Sequence, residues 1–258
     1  MAYEDILVKK TDGECRITIN RPDKGNMFCE KTLLELIDVF SSTRSDKETR
    51  VIVLTGAGDR FFCIGGEKEE FSGYHYGSAL PVVDLYNLID SSPKPVIAAV
   101  NGFAVGGGNV LALVCDFTVA SEAAVFRQVG PSMGSYDAGY GTWFLEDAVG
   151  RKKAKEIWML NRKIPAAEAL RLGLVNEVVP PSELAATVQR WCDELKARGP
   201  QALAALKASF YARHNGVLGL SRLAHDQLAQ YYYRTEEAKE MGKSFAEKRP
   251  PDLSKFYK

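Results

Sequence analysis

Three consecutive glycines at positions 106–108 separate a short apolar segment, PVIAAVNGFAV, from a continuous apolar one, NVLALV. This order of strand, glycines and helix restricts the fold more than any other feature. Glycine lets a ligand or a neighbouring backbone come close to the chain. The unpaired N–H groups of a helix's first turn then point at whatever lies above them. A second glycine cluster, FFCIGGE at 61–67, follows another strand-like run, VIVLTG. One N–H group from each cluster could together hold a developing oxyanion, a device in which losing one donor costs about 100- to 1000-fold in rate. Tight packing of a helix on a strand is the plainer explanation of either cluster alone. A dinucleotide fingerprint is disfavoured, because no acid closes a second strand about 20 residues on.

The rest of the first half fits repeated strand–strand–helix units. ILVKK and CRITIN read as a hairpin around TDGE. EKTLLELIDVFSSTRSDK places Leu33, Leu34, Ile37 and Phe40 at helical spacing. VIVLTG is an uninterrupted β-branched run of the kind buried on both faces, and PVIAAVNG and FTVASEAAVF read as two further strands. Between the first two of these lies AGDRFFCIGGEKEEFSGYHYGSALP, an insertion long enough to imply function or mobility. From about residue 140 the pattern turns helical, with only LVNEVVP reading as a strand. The expected class is α/β, with a core over 1–195 and a helical region over 196–258. Leu220, Leu223, Leu228, Tyr231 and Tyr232 form an apolar face of the tail, which must pack on this core or on another subunit. The stretch QVGPSMGSYDAGYGTWF at 128–144 is poor in helix formers and reads as a shaped loop, with Asp137 its only charge.

Lys plus Arg and Asp plus Glu both number 33, so no net field draws nucleic acid or an anionic membrane. The five cysteines are odd in number and form no C-x-x-C pair. That argues against a disulfide framework or a zinc site and for a reducing compartment. With no apolar leader and no run of membrane-spanning length, the expected location is the cytoplasm.

RITINRPDKGN, VIVLTGAGDRFFCIGGE, KPVIAAVNGFAVGGGNVLALVCDFTVASEAAVF and LGLVNEVVP resemble, in that order, the crotonase (enoyl-CoA hydratase/isomerase) superfamily over nearly the whole chain. The resemblance implies a spiral of ββα units followed by C-terminal helices, assembled as a homotrimer or homohexamer. It implies an acyl-CoA thioester substrate, with coenzyme A entering as part of that substrate and no tightly bound cofactor. It also implies an oxyanion hole for a thioester enolate at the backbone N–H groups of Gly66 and Gly107. Hydratases of the superfamily use two glutamates, and the matching positions here are Val110 and Gly130. Adding water across a double bond near neutral pH needs a base and an acid, so the chain departs from the hydratase pattern at both.

The stretch from Gln128, with GRKKAKEIW after it, is instead similar to two relatives. One is 1,4-dihydroxy-2-naphthoyl-CoA synthase, which closes a ring by intramolecular Claisen condensation. The other is 2-oxocyclohexanecarboxyl-CoA hydrolase, which opens a β-keto ring. The resemblance implies proton transfer by Asp137 with the neighbouring Ser135, and a C-terminal tyrosine, Tyr233, reaching the site. It implies that Gln128, Gly130 and Trp158 could hold a bicarbonate in place of a missing glutamate. Coenzyme A would lie along the backbone at Ile64 and Gly66, with Lys24 and Lys248 at its phosphates and EKRPP near the adenine nucleotide of an adjacent subunit. GGGNVLA and the ending EKRPPDLSKFYK lean toward the ring-opening hydrolase, while Cys29 after NMF and the sequence GGEK depart from the synthase pattern.

Each position also has a plainer role. Asp137 could be a loop-capping carboxylate, Trp158 a core residue, Tyr233 an interface aromatic, and the two lysines surface charges. His75 could be an exposed histidine rather than a gate, and Glu67, Glu69 and Glu70 read as a solvated face. Burial among glycines and aromatics should raise the Asp137 pKa, which suits acid–base work. A competing class rests on GPSMG at 130–134, which matches the G-x-S-x-G elbow of serine hydrolases, with Ser132 followed by His214 or His225. Against it, Pro131 sits inside the motif and no helix is expected straight after the serine. A non-catalytic acyl-CoA-binding protein, and isomerase, decarboxylase or thioesterase chemistry on another CoA ester, complete the alternatives.

Overall fold

The computed structural model describes residues 3–67, 80–135 and 137–256. The chain divides into two compact units, residues 1–203 and 204–258. In the first, β1 (Ile6–Thr11) and β2 (Glu14–Ile19) form the expected hairpin. Asp12 and Gly13 close it with φ of 48° and 77°, the left-handed pair that an Asp-Gly turn favours. A 3-10 turn at Pro22–Lys24 leads to α1 (Glu30–Ser45), which buries Leu33, Leu36, Val39 and Phe40. Then come β3 (Val51–Gly56), β4 (Phe61–Cys63), α2 (Pro81–Asp90), β5 (Val96–Val100), β6 (Phe103–Val105), α3 (Gly107–Val114), β7 (Phe117–Ser121) and β8 (Val125–Arg127). They are followed by α4 (Gly130–Met133), α5 (Tyr140–Val149), α6 (Arg151–Met159), β9 (Lys163–Pro165), α7 (Ala166–Leu172), β10 (Glu177–Val179) and α8 (Leu184–Lys196).

From β3 to β8, each successive pair of strands sends its first strand to one sheet and its second to another. The larger sheet has the order β1-β2-β3-β5-β7-β10 and is parallel beyond the hairpin. The smaller has the order β4-β6-β8-β9, with only β9 antiparallel to its neighbour. Ile52, Leu54, Ala98 and Val100 belong to the main core, together with residues of α1, α2 and α3. Val51, Val53, Ile97 and Val119 face the other way and pack with Leu184, Val188 and Cys192 of α8. Cover on both faces is why β3 and β5 are apolar along almost their whole length.

Three readings change. FTVASEAAVF is two strands: the chain turns at 122–124 and β8 crosses to the smaller sheet. In addition to β10, the helical half contains β9, a strand of the smaller sheet that at three residues is too short to show a period. The stretch 128–144 is about half helix: α4 and the start of α5 flank an irregular segment between Gly134 and Gly139, so the expected loop is confined to that segment and to residues 128–129. Pro131 sits in the first turn of α4, where a missing N–H costs nothing. Gly134 and Gly139, with φ of 70° and 66°, bound the break between the two helices.

The second unit is described by itself. α9 (Pro200–Arg222) enters it and bends at Gly216 (φ 51°, ψ −126°). A π-helical turn at Leu223–Leu228, α10 (Ala229–Tyr232) and α11 (Glu236–Ala246) follow. Thr235 caps α11, its hydroxyl accepting from the Ala238 N–H at 3.2 Å. Among the described residues no helix is long and apolar enough to cross a membrane.

The start of α3 is pressed directly onto β4. A methyl group on Gly108 would lie 1.9 Å from the Cys63 carbonyl oxygen. Gly108→Ala is therefore expected to lower stability by about 3 kcal/mol, toward the upper end of overpacking costs, seen as a fall in the chemical denaturation midpoint.

Candidate active site

β4 runs straight into the second glycine cluster. Gly66 pairs with Phe28 as an isolated parallel bridge. The Phe28 N–H donates to Gly65 O and the Glu67 N–H to Phe28 O, both at 3.0 Å. Successive residues of an extended chain face opposite sides, so the N–H of Gly66 turns away from Phe28. The same segment touches the start of α3: a methyl on Gly65 would lie 3.4 Å from the Gly107 nitrogen. Gly107 is the first residue of α3, and Gly106 before it has φ 55°. Its N–H is one of the first-turn groups with no partner inside the helix. The structure thus brings the backbone of the two predicted oxyanion-hole residues to one place.

The sequence did not reveal what holds that place. Glu67 is only 15% exposed and its carboxylate lies 2.6 Å from Arg21 Nη2, so it is no part of a solvated face. Arg21 also donates to the Met27 carbonyl at 2.6 Å and pairs with Asp5 at 3.4 Å. Lys24 reaches the same Glu67 carboxylate at 3.2 Å and is 57% exposed. It therefore stands at the rim beside Gly66, sharing the Glu67 carboxylate with Arg21. The Ile64 N–H donates to Gly25 O at 3.3 Å.

Asp137 lies in the break between α4 and α5 and is half-buried. Its neighbourhood is defined by Gly141, in the first turn of α5. A methyl on Gly141 would lie 2.7 Å from Asp137 Cβ, 3.0 Å from Trp158 Cζ2 and 3.2 Å from Val110 Cγ2. Asp137, Trp158 and Val110, the last aligned by resemblance with a hydratase glutamate, therefore gather around the Gly141 α-carbon. Burial raises the Asp137 pKa above the ordinary carboxylate value. Burial first, and then the Asp137 charge, push the Tyr86 phenol well above its usual value. Ser135 is exposed in the same break, its N–H donating to Gly130 O at 2.9 Å.

The three residues proposed for bicarbonate fit it unequally. Gln128 is fully buried, and neither polar atom of its side chain has a partner among the described residues. Gly130 is buried beside it in sequence. Trp158, however, donates its indole N–H to Gly141 O at 2.9 Å. That donor holds the backbone under Asp137, so it is not open to an anion.

The serine-elbow alternative does not survive. Ser132 lies exposed within the four-residue α4, and its hydroxyl donates to the Asn161 side-chain oxygen rather than to a histidine. His225 Nδ1 faces the Ser221 carbonyl at 2.9 Å. Tyr233 and Lys248 belong to the second unit, where both are exposed. In EKRPP, Arg249 is bound by Glu240 at 2.7 Å and 3.2 Å and by Glu247 at 2.7 Å, so its charge is already matched. His75, Lys68, Glu69 and Glu70 lie outside the described residues.

Two outcomes follow. Arg21→Met leaves two carboxylates, Asp5 and Glu67, without their shared cation, and should cost about 3 kcal/mol of stability in a denaturant titration. Asp137 has the opposite sign: its folded pKa is raised, so its ionised form burdens the folded state. Asp137→Asn should melt higher than the parent at pH 8, and the gain should vanish as pH falls below about 4, the ordinary aspartate value. Thermal melts across that range read the difference directly.

A family model described as enoyl-CoA hydratase/isomerase matches residues 9–255. An enoyl-CoA hydratase structure from Bacillus anthracis is 31% identical, with 96% of this chain and 98% of that chain covered and a TM-score of 0.77. An enoyl-CoA hydratase subunit from Geobacillus kaustophilus is 30% identical over 97% and 98%, with a TM-score of 0.78. A monofunctional enoyl-CoA isomerase from M. smegmatis is 30% identical over 83% and 97%, with a TM-score of 0.71.

Proposed function

The chain belongs to the enoyl-CoA hydratase/isomerase family, the crotonase superfamily of acyl-CoA-processing enzymes, and from that premise we propose that it opens the ring of a cyclic β-oxoacyl-CoA. The observation that carries this reading is the meeting of Asp137 with Val110 around Gly141. A half-buried carboxyl with a raised pKa lies close to Val110, the residue aligned by resemblance with a hydratase glutamate.

In the proposed reaction Asp137 takes a proton from water as its oxygen attacks the ring ketone. The resulting alkoxide collapses to a carboxylic acid, and the ring C–C bond breaks toward the thioester. Its electron pair becomes an enolate, whose oxygen is held by the N–H groups of Gly66 and Gly107. Asp137 returns its proton to the α-carbon. The product is an open-chain dicarboxylic mono-CoA ester, one water heavier than the substrate. A raised pKa suits a group that must accept and then return one proton. Ser135 would help place the water. Lys24 and Lys248 would meet the CoA phosphates and Tyr233 would close the site, in a trimer or hexamer whose contacts cover the exposed Leu220, Leu228 and Tyr231.

Ring closure, as in the naphthoyl-CoA synthases, is the second reading. The unpartnered Gln128 side chain favours it, and the committed Trp158 N–H weighs against a bicarbonate there.

Mass spectrometry of the protein with 2-oxocyclohexanecarboxyl-CoA, with and without bicarbonate, tests the first reading. Conversion to pimeloyl-CoA, slowed about 1000-fold or more in Asp137→Asn, is the expected result for loss of a central proton-transfer group. An unchanged substrate, together with loss of water from o-succinylbenzoyl-CoA, would replace ring opening by ring closure.

A further inference from the structure

The glycines of the oxyanion hole carry no side chains with which to fix themselves. Gly106 has a positive φ, and residues 106–108 are all glycine. Such a run is free to reorient unless neighbouring groups restrain it. Gly106 is held by its own backbone, its N–H donating to Arg127 O at 2.9 Å and its carbonyl accepting from the Val110 N–H at 3.1 Å. Gly108 is restrained by its close seat on Cys63 O. Gly107, the residue that presents the N–H, has two neighbours. The Phe28 ring lies where its side chain would be, 2.7 Å from the position of a methyl group. The hydroxyl of Tyr86 lies 3.2 Å from that same position and 3.3 Å from Gly107 O.

A backbone carbonyl only accepts, so the Tyr86 hydroxyl is the donor. Its ring is buried, 3% exposed, and packs against the Tyr140 ring with centroids 5.7 Å apart. Tyr140 in turn reaches the Asn87 side chain of α2 at 3.4 Å. The phenol keeps its proton, because burial and the Asp137 charge both oppose ionisation. It is therefore a fixed donor across the working pH range.

Resting on the reading of Gly66 and Gly107 as an oxyanion hole, we infer that Tyr86 is a positioning residue: it anchors the Gly107–Gly108 peptide from α2, while the Val110 N–H holds the Gly106 carbonyl of the preceding peptide, so that both planes flanking Gly107 are pinned and its N–H stays aimed at the thioester oxygen. It acts through Gly107 and exchanges no proton with the substrate.

The test uses 4-(dimethylamino)cinnamoyl-CoA, a thioester whose absorption moves to longer wavelength as its carbonyl is polarised. The whole protein and Tyr86→Phe, which keeps the ring and loses only the hydroxyl, are titrated with it. The expected result is a red shift with the parent and a clearly smaller one with Tyr86→Phe, at equal thermal midpoint and similar affinity. On the turnover substrate kcat should fall about tenfold at unchanged KM, the effect of one positioning hydrogen bond. An equal red shift in both proteins overturns the role of Tyr86 and leaves the hole standing. Saturable binding with no shift in the parent overturns the hole, and the inference with it.

Discussion

The short strand β4 is held by direct contact between backbones, and the candidate site is built on it. A methyl group on Gly56 would lie 2.3 Å from Phe62 O, one on Gly102 2.1 Å from Arg60 O, and one on Gly108 1.9 Å from Cys63 O. The carbonyls of residues 60, 62 and 63, in β4 and just before it, are thus seated against the α-carbons of glycines from β3, from the β5–β6 turn and from α3. Two asparagine side chains add to the grip. Asn26 donates to Ala57 O and Phe61 O, at 3.0 Å and 2.7 Å, and Asn101 donates to Gly56 O and Gly58 O, at 3.0 Å and 2.7 Å. Because β4 leads directly to Gly66, and Gly108 belongs to α3, one set of contacts positions both halves of the proposed hole. Donors fixed in this way need no reorganisation when charge develops in front of them, which is the source of their catalytic value.

Much of this was legible in the sequence where a residue pattern is long enough to have a period. VIVLTG and PVIAAV are strands, α1 lies where its apolar spacing put it, and the alternation of strand, strand and helix holds. What escaped is what lacks a period. β8 and β9 have three residues each, and only their pairing partners, distant in sequence, make them strands. The glycines between Gln128 and Phe144 concealed two helices, because glycine at a helix boundary and glycine in a loop look alike along a chain.

The site was legible in its chemistry and not in its supports. Gly66, Gly107 and Asp137 can be picked out by type and by resemblance. The ion pair of Arg21 with Glu67 joins residues 46 apart, and nothing local to either announces it. Trp158 shows the same limit: its sequence position suits a ligand contact, yet its N–H serves the Gly141 carbonyl. Gly141 did carry a signal, being a glycine four residues past the one charged group of its stretch, where a side chain would collide with that group.

Replacing a glutamate by Val110 changes what the remaining carboxyl can do. Syn addition of water to an alkene needs one group to take a proton from water while another delivers a different proton to carbon. Two carboxyls with separated pKa values can divide that work. Here Val110 is fully buried, and it presents a methyl group to the space that Asp137 and Trp158 share. Among the described groups around Gly141, one carboxyl is left to act alone. In the proposed ring opening a single group suffices, because the proton lifted from water and the proton returned to the α-carbon are handled in sequence and not together. The apolar surroundings that raise the pKa of Asp137 make its protonated state the stable resting point between those two transfers. The loss of the glutamate and the burial of the aspartate are, on this account, two parts of one change in chemistry.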